Sequence, residues 1–94
     1  MNNNAFFEDL FSEVKKSNIN DYKTAFFNKK TEQQSLWKDD ESMIQLAEKD
    51  YRDSLTVLDA VFEYDDVNYA IKLFSNLDTA ARDAICDVFR NVNE

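Results

Sequence analysis

The sequence predicts an all-α fold: a compact single-domain bundle, residues 1–94, of four to five helices around one long central helix at about 41–63. Three observations carry that expectation. The 94 residues include no glycine and no proline, which removes the usual residues of hairpin turns, phosphate-cradling loops and glycine helix caps. Apolar residues recur at intervals of three and four, the period of a helix buried on one side. Short runs of Asn, Asp and Ser stand wherever that period stops, and their side chains compete for nearby backbone hydrogen bonds. Eight Phe, four Tyr and one Trp supply an aromatic-rich core.

The first helix is expected over 5–16. Phe6, Phe7, Leu10, Phe11 and Val14 form its stripe, with Asn4 as N-cap. Glu8 and Asp9 lie toward its positive end, and Lys15 and Lys16 suit its negative one. Ser17-Asn18-Ile19-Asn20 reads as a break, and Tyr22, Ala25 and Phe26 then mark a short second helix near 21–29. Phe27 falls off that stripe and is expected to meet another element. Thr31-Glu32-Gln33-Gln34 matches a capping box, so a new turn or short helix is expected to begin at Thr31 and carry Leu36 and Trp37.

The longest periodic stretch is Met43, Ile44, Ala47, Tyr51, Leu55, Leu58, Val61 and Phe62. A helix over 41–63 is about 34 Å long at 1.5 Å per residue, which makes it the spine. Asp39 or Asp40 caps it, and β-branched Thr56 and Val57 are its weakest point. Asp65 and Asp66 are the caps of a fourth helix with Val67, Ala70, Leu73 and Phe74 inward, ending near Ser75-Asn76. Asp78 caps a last helix with the face Ala81, Ala84, Ile85, Val88, Phe89 and Val92. These last two read as a helical hairpin packing on the spine. A DNA-reading helix-turn-helix is a poor fit, because the second helix presents Asp78, Asp83 and Asp87 where bases would be read.

Charge is distributed unevenly. The chain carries net −8; residues 15–38 are net +4, whereas 39–66 are net −8. Such a surplus opposes contact with nucleic acid or an anionic membrane and favours cationic partners. On a helix, acids one turn apart lie about 5–6 Å from each other, near the spacing of successive phosphates, so a solvent-facing row imitates a polyphosphate. The candidate partner-binding residues are Glu48, Asp59 and Glu63 on one strip, Asp50 and Asp53 on an adjacent strip, and Asp65 and Asp66 at the end. The alternative is an ordinary solvated face whose acids pair with the basic island from Lys15 to Lys38. That island is interleaved with Tyr22, Phe26, Phe27 and Trp37, but its rings fit a core better than a base-stacking platform.

Chemistry is harder to place. With no histidine, the commonest general base and metal ligand is missing, and Asp59 to Asp66 lacks calcium-loop spacing. No catalytic, metal or cofactor residues are assigned, and the chain is read as a non-enzyme. The single Cys86 reads as a small apolar residue. With no long apolar run and a polar opening, a cytoplasmic protein is expected. The resulting expectation is a small acidic protein that occupies a basic, nucleic-acid-binding surface of a partner protein, in the manner of phage or mobile-element inhibitors. The alternative is a helical adaptor binding through exposed aromatics such as Phe7, Phe27, Trp37 or Tyr64, and a homodimer is compatible with either.

Overall fold

The computed structural model describes residues 3–93 and is all-α. Five helices follow in order: α1 (Asn3–Lys15), α2 (Ile19–Leu36), α3 (Glu41–Phe62), α4 (Val67–Ser75) and α5 (Thr79–Asn93). No strand occurs among the described residues. The expected spine is α3, whose backbone approaches each of the other four helices.

Short polar side chains start the helices. Asn18 caps α2 by accepting the Asn20 N–H at 2.9 Å, Asp40 caps α3 through Met43 N–H at 3.2 Å, Asp66 caps α4 through Tyr69 N–H at 3.0 Å and Asp78 accepts the Ala81 N–H of α5 at 2.9 Å. Each satisfies a donor left free in the first turn. Asn4 does not play this part, since α1 already runs from Asn3; the position before it lies outside the described residues.

The missing glycine has a local substitute after α3. Asp65 has φ 54°, a left-handed conformation that short Asp and Asn side chains tolerate better than most. The helix widens there: Tyr64 N–H reaches the Asp59 carbonyl at 3.1 Å and Asp66 N–H the Ala60 carbonyl at 3.0 Å. Asp65 therefore turns the chain, while Asp66 alone is the cap.

The expected separation of the second and third segments is a first correction. The break at Thr31 does not exist: α2 runs unbroken from Ile19 to Leu36. Thr31 Oγ1 donates to the Phe27 carbonyl at 3.0 Å, one turn back, a bond a threonine makes inside a helix. Thr56 does the same with the Arg52 carbonyl at 3.0 Å, so the expected weak point of α3 is continuous as well.

The second correction concerns the C-terminal pair, which is not a hairpin. α4 lies against α3 and α1, while α5 lies against α2, α1 and α3. Aromatic packing explains the separation, because Phe11 of α1 stands between them, 5.4 Å from the Phe74 ring and 5.2 Å from the Phe89 ring.

Rings from four helices converge on an aliphatic spine. Phe11, Tyr22, Phe26, Phe74 and Phe89 are buried, and α3 meets them with Val57, Leu58, Ala60 and Val61. Phe89 is the hub: its ring lies 5.2, 5.5 and 6.0 Å from those of Phe11, Tyr22 and Phe26. Phe7, expected as an exposed contact, instead packs 5.0 Å from Phe74. Core burial involves the C-terminal two-thirds of α3, and its N-terminal turns project with the end of α2. The molecule is accordingly elongated, 40 × 27 × 23 Å.

Candidate functional site

The seven candidate acids occupy three environments. Glu48 pairs with Lys30 at 3.2 Å, and the Lys30 ammonium also lies 4.9 Å from the Phe27 ring and 4.4 Å from that of Tyr51. Phe27 thus meets another element, 6.1 Å from Tyr51 of α3. Lys30 is therefore a structural cation, held by a carboxylate and two ring faces. Asp53 accepts a hydrogen bond from Lys49 at 2.8 Å, one turn away. Asp65 pairs with Lys15 of α1.

The second environment is the C-terminal end of the spine. Asp59 is half-buried, whereas Glu63, Asp65 and Asp66 are exposed. Four carboxylates thus fall within eight residues, beside Tyr64 at 69% exposure. Helical geometry limits how far they continue a row. Asp59 and Glu63 are one turn apart, but Glu48 lies eleven residues before Asp59, about 16 Å along the axis. Arg52 occupies the same strip between them. The strip reads acid, base, gap, acid, acid; it is not an uninterrupted carboxylate row.

Asp50 is the third environment, and it does not lie on a strip beside Glu48. It shares the inward stripe with Ala47, Ser54, Val57 and Val61, spaced three or four residues apart. Its Oδ1 is buried and no hydrogen-bond donor reaches it among the described residues. Ser54 Oγ donates instead to the Asp50 backbone carbonyl at 2.7 Å. Burial first, then the Asp78 carboxylate, pushes the Asp50 carboxyl above its ordinary range; Asp53 acts in the same direction and Lys49 against it. Lys29 and Lys30 of α2 also border this region.

This predicts a pH-dependent gain from removing the charge. A carboxyl that holds its proton more tightly when folded costs stability once ionised, so the penalty grows as pH rises from the ordinary value, about 3.9, through the raised one. Asp50→Asn is expected to raise Tm at pH 7 by no more than about 4 °C, because partial exposure screens the charge. The gain should vanish below about pH 4. Thermal melts of both proteins from pH 3 to pH 8 check the sign; a loss at pH 7 would show that the carboxylate is stabilising.

An exposed apolar surface accompanies Asp50. At the tip formed by the end of α2 and the start of α3, Leu36 is 73% exposed, Trp37 49% and Leu46 37%. The sequence names Trp37 as an exposed aromatic contact, and the fold adds Leu36 and Leu46 to it. Comparison with known protein families, curated proteins and solved structures finds no match. Among the described residues no group of three or more metal-ligating side chains gathers, and no helix is long and apolar enough to cross a membrane. Half-buried Cys86 has its thiol pushed up mainly by burial, which keeps it protonated and weakly nucleophilic near neutrality.

Proposed function

We propose that this chain is a small acidic binding protein that occupies a basic surface of a partner protein, such as the nucleic-acid-binding face of a DNA- or RNA-handling one. It acts by stoichiometric occlusion, as an inhibitor, and not by catalysis. The observation that supports this reading is the carboxylate cluster at the end of the spine, Asp59, Glu63, Asp65 and Asp66, of which only Asp65 has an ion-pair partner among the described residues. Ion pairing elsewhere leaves the net charge of −8 in place, so a cationic surface is attracted at long range and released by salt.

The test is a variant that keeps the fold and loses the charge: Asp59→Asn, Glu63→Gln, Asp65→Asn and Asp66→Asn together. Asn retains both the cap at 66 and the left-handed turn at 65. Affinity purification with the native chain is expected to recover a basic, nucleic-acid-handling protein, with recovery falling at least tenfold on going to the variant and falling as salt rises. Recovery indifferent to both would overturn the reading.

A second reading has one observation in its favour. Leu36, Trp37 and Leu46 are exposed together at the α2–α3 tip, which suits a helical adaptor with an aromatic contact. Such an interface would lose affinity on Trp37→Ala without a steep salt dependence.

A further inference from the structure

The tip is built as a cleft with a charged floor. The last turns of α2 run beside the first turns of α3, joined where Gln34 Nε2 donates to the Ile44 carbonyl at 3.3 Å. Two adjoining cavities open there, sharing Gln33, Ala47, Asp50 and Ala80. The inner one is bordered by Lys29 and Lys30. The outer one, about 120 Å³, is completed by Trp37, Met43 and Leu46 and has no basic side chain in its wall. A single water needs only roughly 10–15 Å³, so a side chain fits where a lone solvent molecule would be loose.

Three independent features of that outer cavity select the same occupant. Among the described residues no donor reaches the buried Asp50 Oδ1; Lys49 is engaged with Asp53 and Lys30 with Glu48, while Lys29 borders the inner cavity and not the outer one. Asp50 thus offers an acceptor that a cationic donor would satisfy. Trp37 supplies a half-exposed indole, the best aromatic face for a cation. Met43 and Leu46 give an apolar wall suited to a methylene stem. Arginine meets all three conditions better than lysine, because its guanidinium is planar, weakly hydrated and able to stack while it donates to a carboxylate.

We propose that the outer cavity is a receptor for one arginine side chain of the partner protein, with the guanidinium donating to Asp50 and stacking on Trp37. The proposal rests on the basic-surface reading and gives it an anchor: spine-end carboxylates attract the partner, and this cleft fixes its register. An arginine seated here brings a donor to the Asp50 carboxylate, which lines the cavity, and positive charge to a position near Asp53 and Asp78.

The test uses the full chain, labelled with nitrogen-15 and titrated with N-acetyl-arginine amide. N-acetyl-citrulline amide, nearly isosteric and uncharged, is the control. Saturable shifts at Gln33, Asp50, Ala80 and the Trp37 indole are expected, with the citrulline compound at least fivefold weaker. Asp50→Asn should abolish the preference, whereas Glu13→Gln on α1, outside both the cleft and the spine-end cluster, should leave it unchanged. Equal response to both compounds would overturn the proposal, as would arginine shifts that spread over the surface acids and persist in Asp50→Asn. The second of these results would leave the basic-surface reading intact, because diffuse attraction is what that reading requires; its own failure is seen separately in the four-residue variant. Sedimentation over a concentration series completes the test. A dimer that dissociates on Trp37→Ala would assign the cleft to a second copy of this chain and overturn the arginine receptor.

Discussion

Replacing Phe89 by alanine is expected to cost about 3–5 kcal/mol of unfolding free energy, the range for emptying a buried aromatic position. A chain of this length has roughly 5–14 kcal/mol in total, so the variant should melt some 12 °C or more below the parent at about 4–8 °C per kcal/mol. The size of the effect follows from position. Phe89 is fully buried and touches rings from α1 and α2 together, so its loss opens a cavity where three helices meet. Phe6→Ala is the control. That ring is 50% exposed and contacts Phe7 and the Arg90 guanidinium at 5.3 and 5.7 Å, so less than about 1 kcal/mol should be lost. Thermal and urea unfolding followed by circular dichroism measure both. A Phe89→Ala loss no larger than that of Phe6→Ala would mean that the rings do not converge as described.

The second large effect is Glu32→Pro, expected to cost about 3 kcal/mol or more. Glu32 is exposed, so no packing is lost and the penalty reports the backbone alone. Were Thr31 the cap of a new helix, proline would occupy the first helical position, where it is well tolerated. In a continuous α2 it removes a hydrogen bond and collides with the preceding turn. Glu32→Ala separates loss of the side chain from backbone breakage and should change stability by less than about 0.5 kcal/mol. A proline variant as stable as the alanine one would place a break at Thr31 after all.

These two substitutions mark the limits of legibility. The caps Asp40, Asp66 and Asp78 were readable because each acts on a backbone group three residues away, whereas Asn18 was read only as part of a break and caps α2 in the fold. The continuity of α2 was not, because Thr31 has one hydroxyl that serves equally well as a cap acceptor or as a donor to the preceding turn. Its neighbours offer no glycine or proline to decide between the two. Asp50 was readable in part. It shares the stripe of Ala47, Ser54 and Val57, and a charge on an apolar stripe is informative in itself. Whether a donor waits opposite is a property of α2 and α5, which no spacing along α3 reveals. The gap between Glu48 and Asp59, with Arg52 inside it, also follows from helical arithmetic, although the strip is read from the sequence as a row of acids.

Helix class, the aspartate-capped starts of α3, α4 and α5 and the central place of residues 41–62 therefore follow from the sequence alone, because they depend on hydrogen bonds and apolar spacing within one or two turns. Tertiary structure decided the rest. It placed Phe11 between α4 and α5, engaged Lys30 with Glu48 and Lys15 with Asp65, and left Asp50 half-buried in a cavity shared with a half-exposed tryptophan. Each of these joins residues far apart in the chain, and such meetings are set by how five helices share one aromatic core.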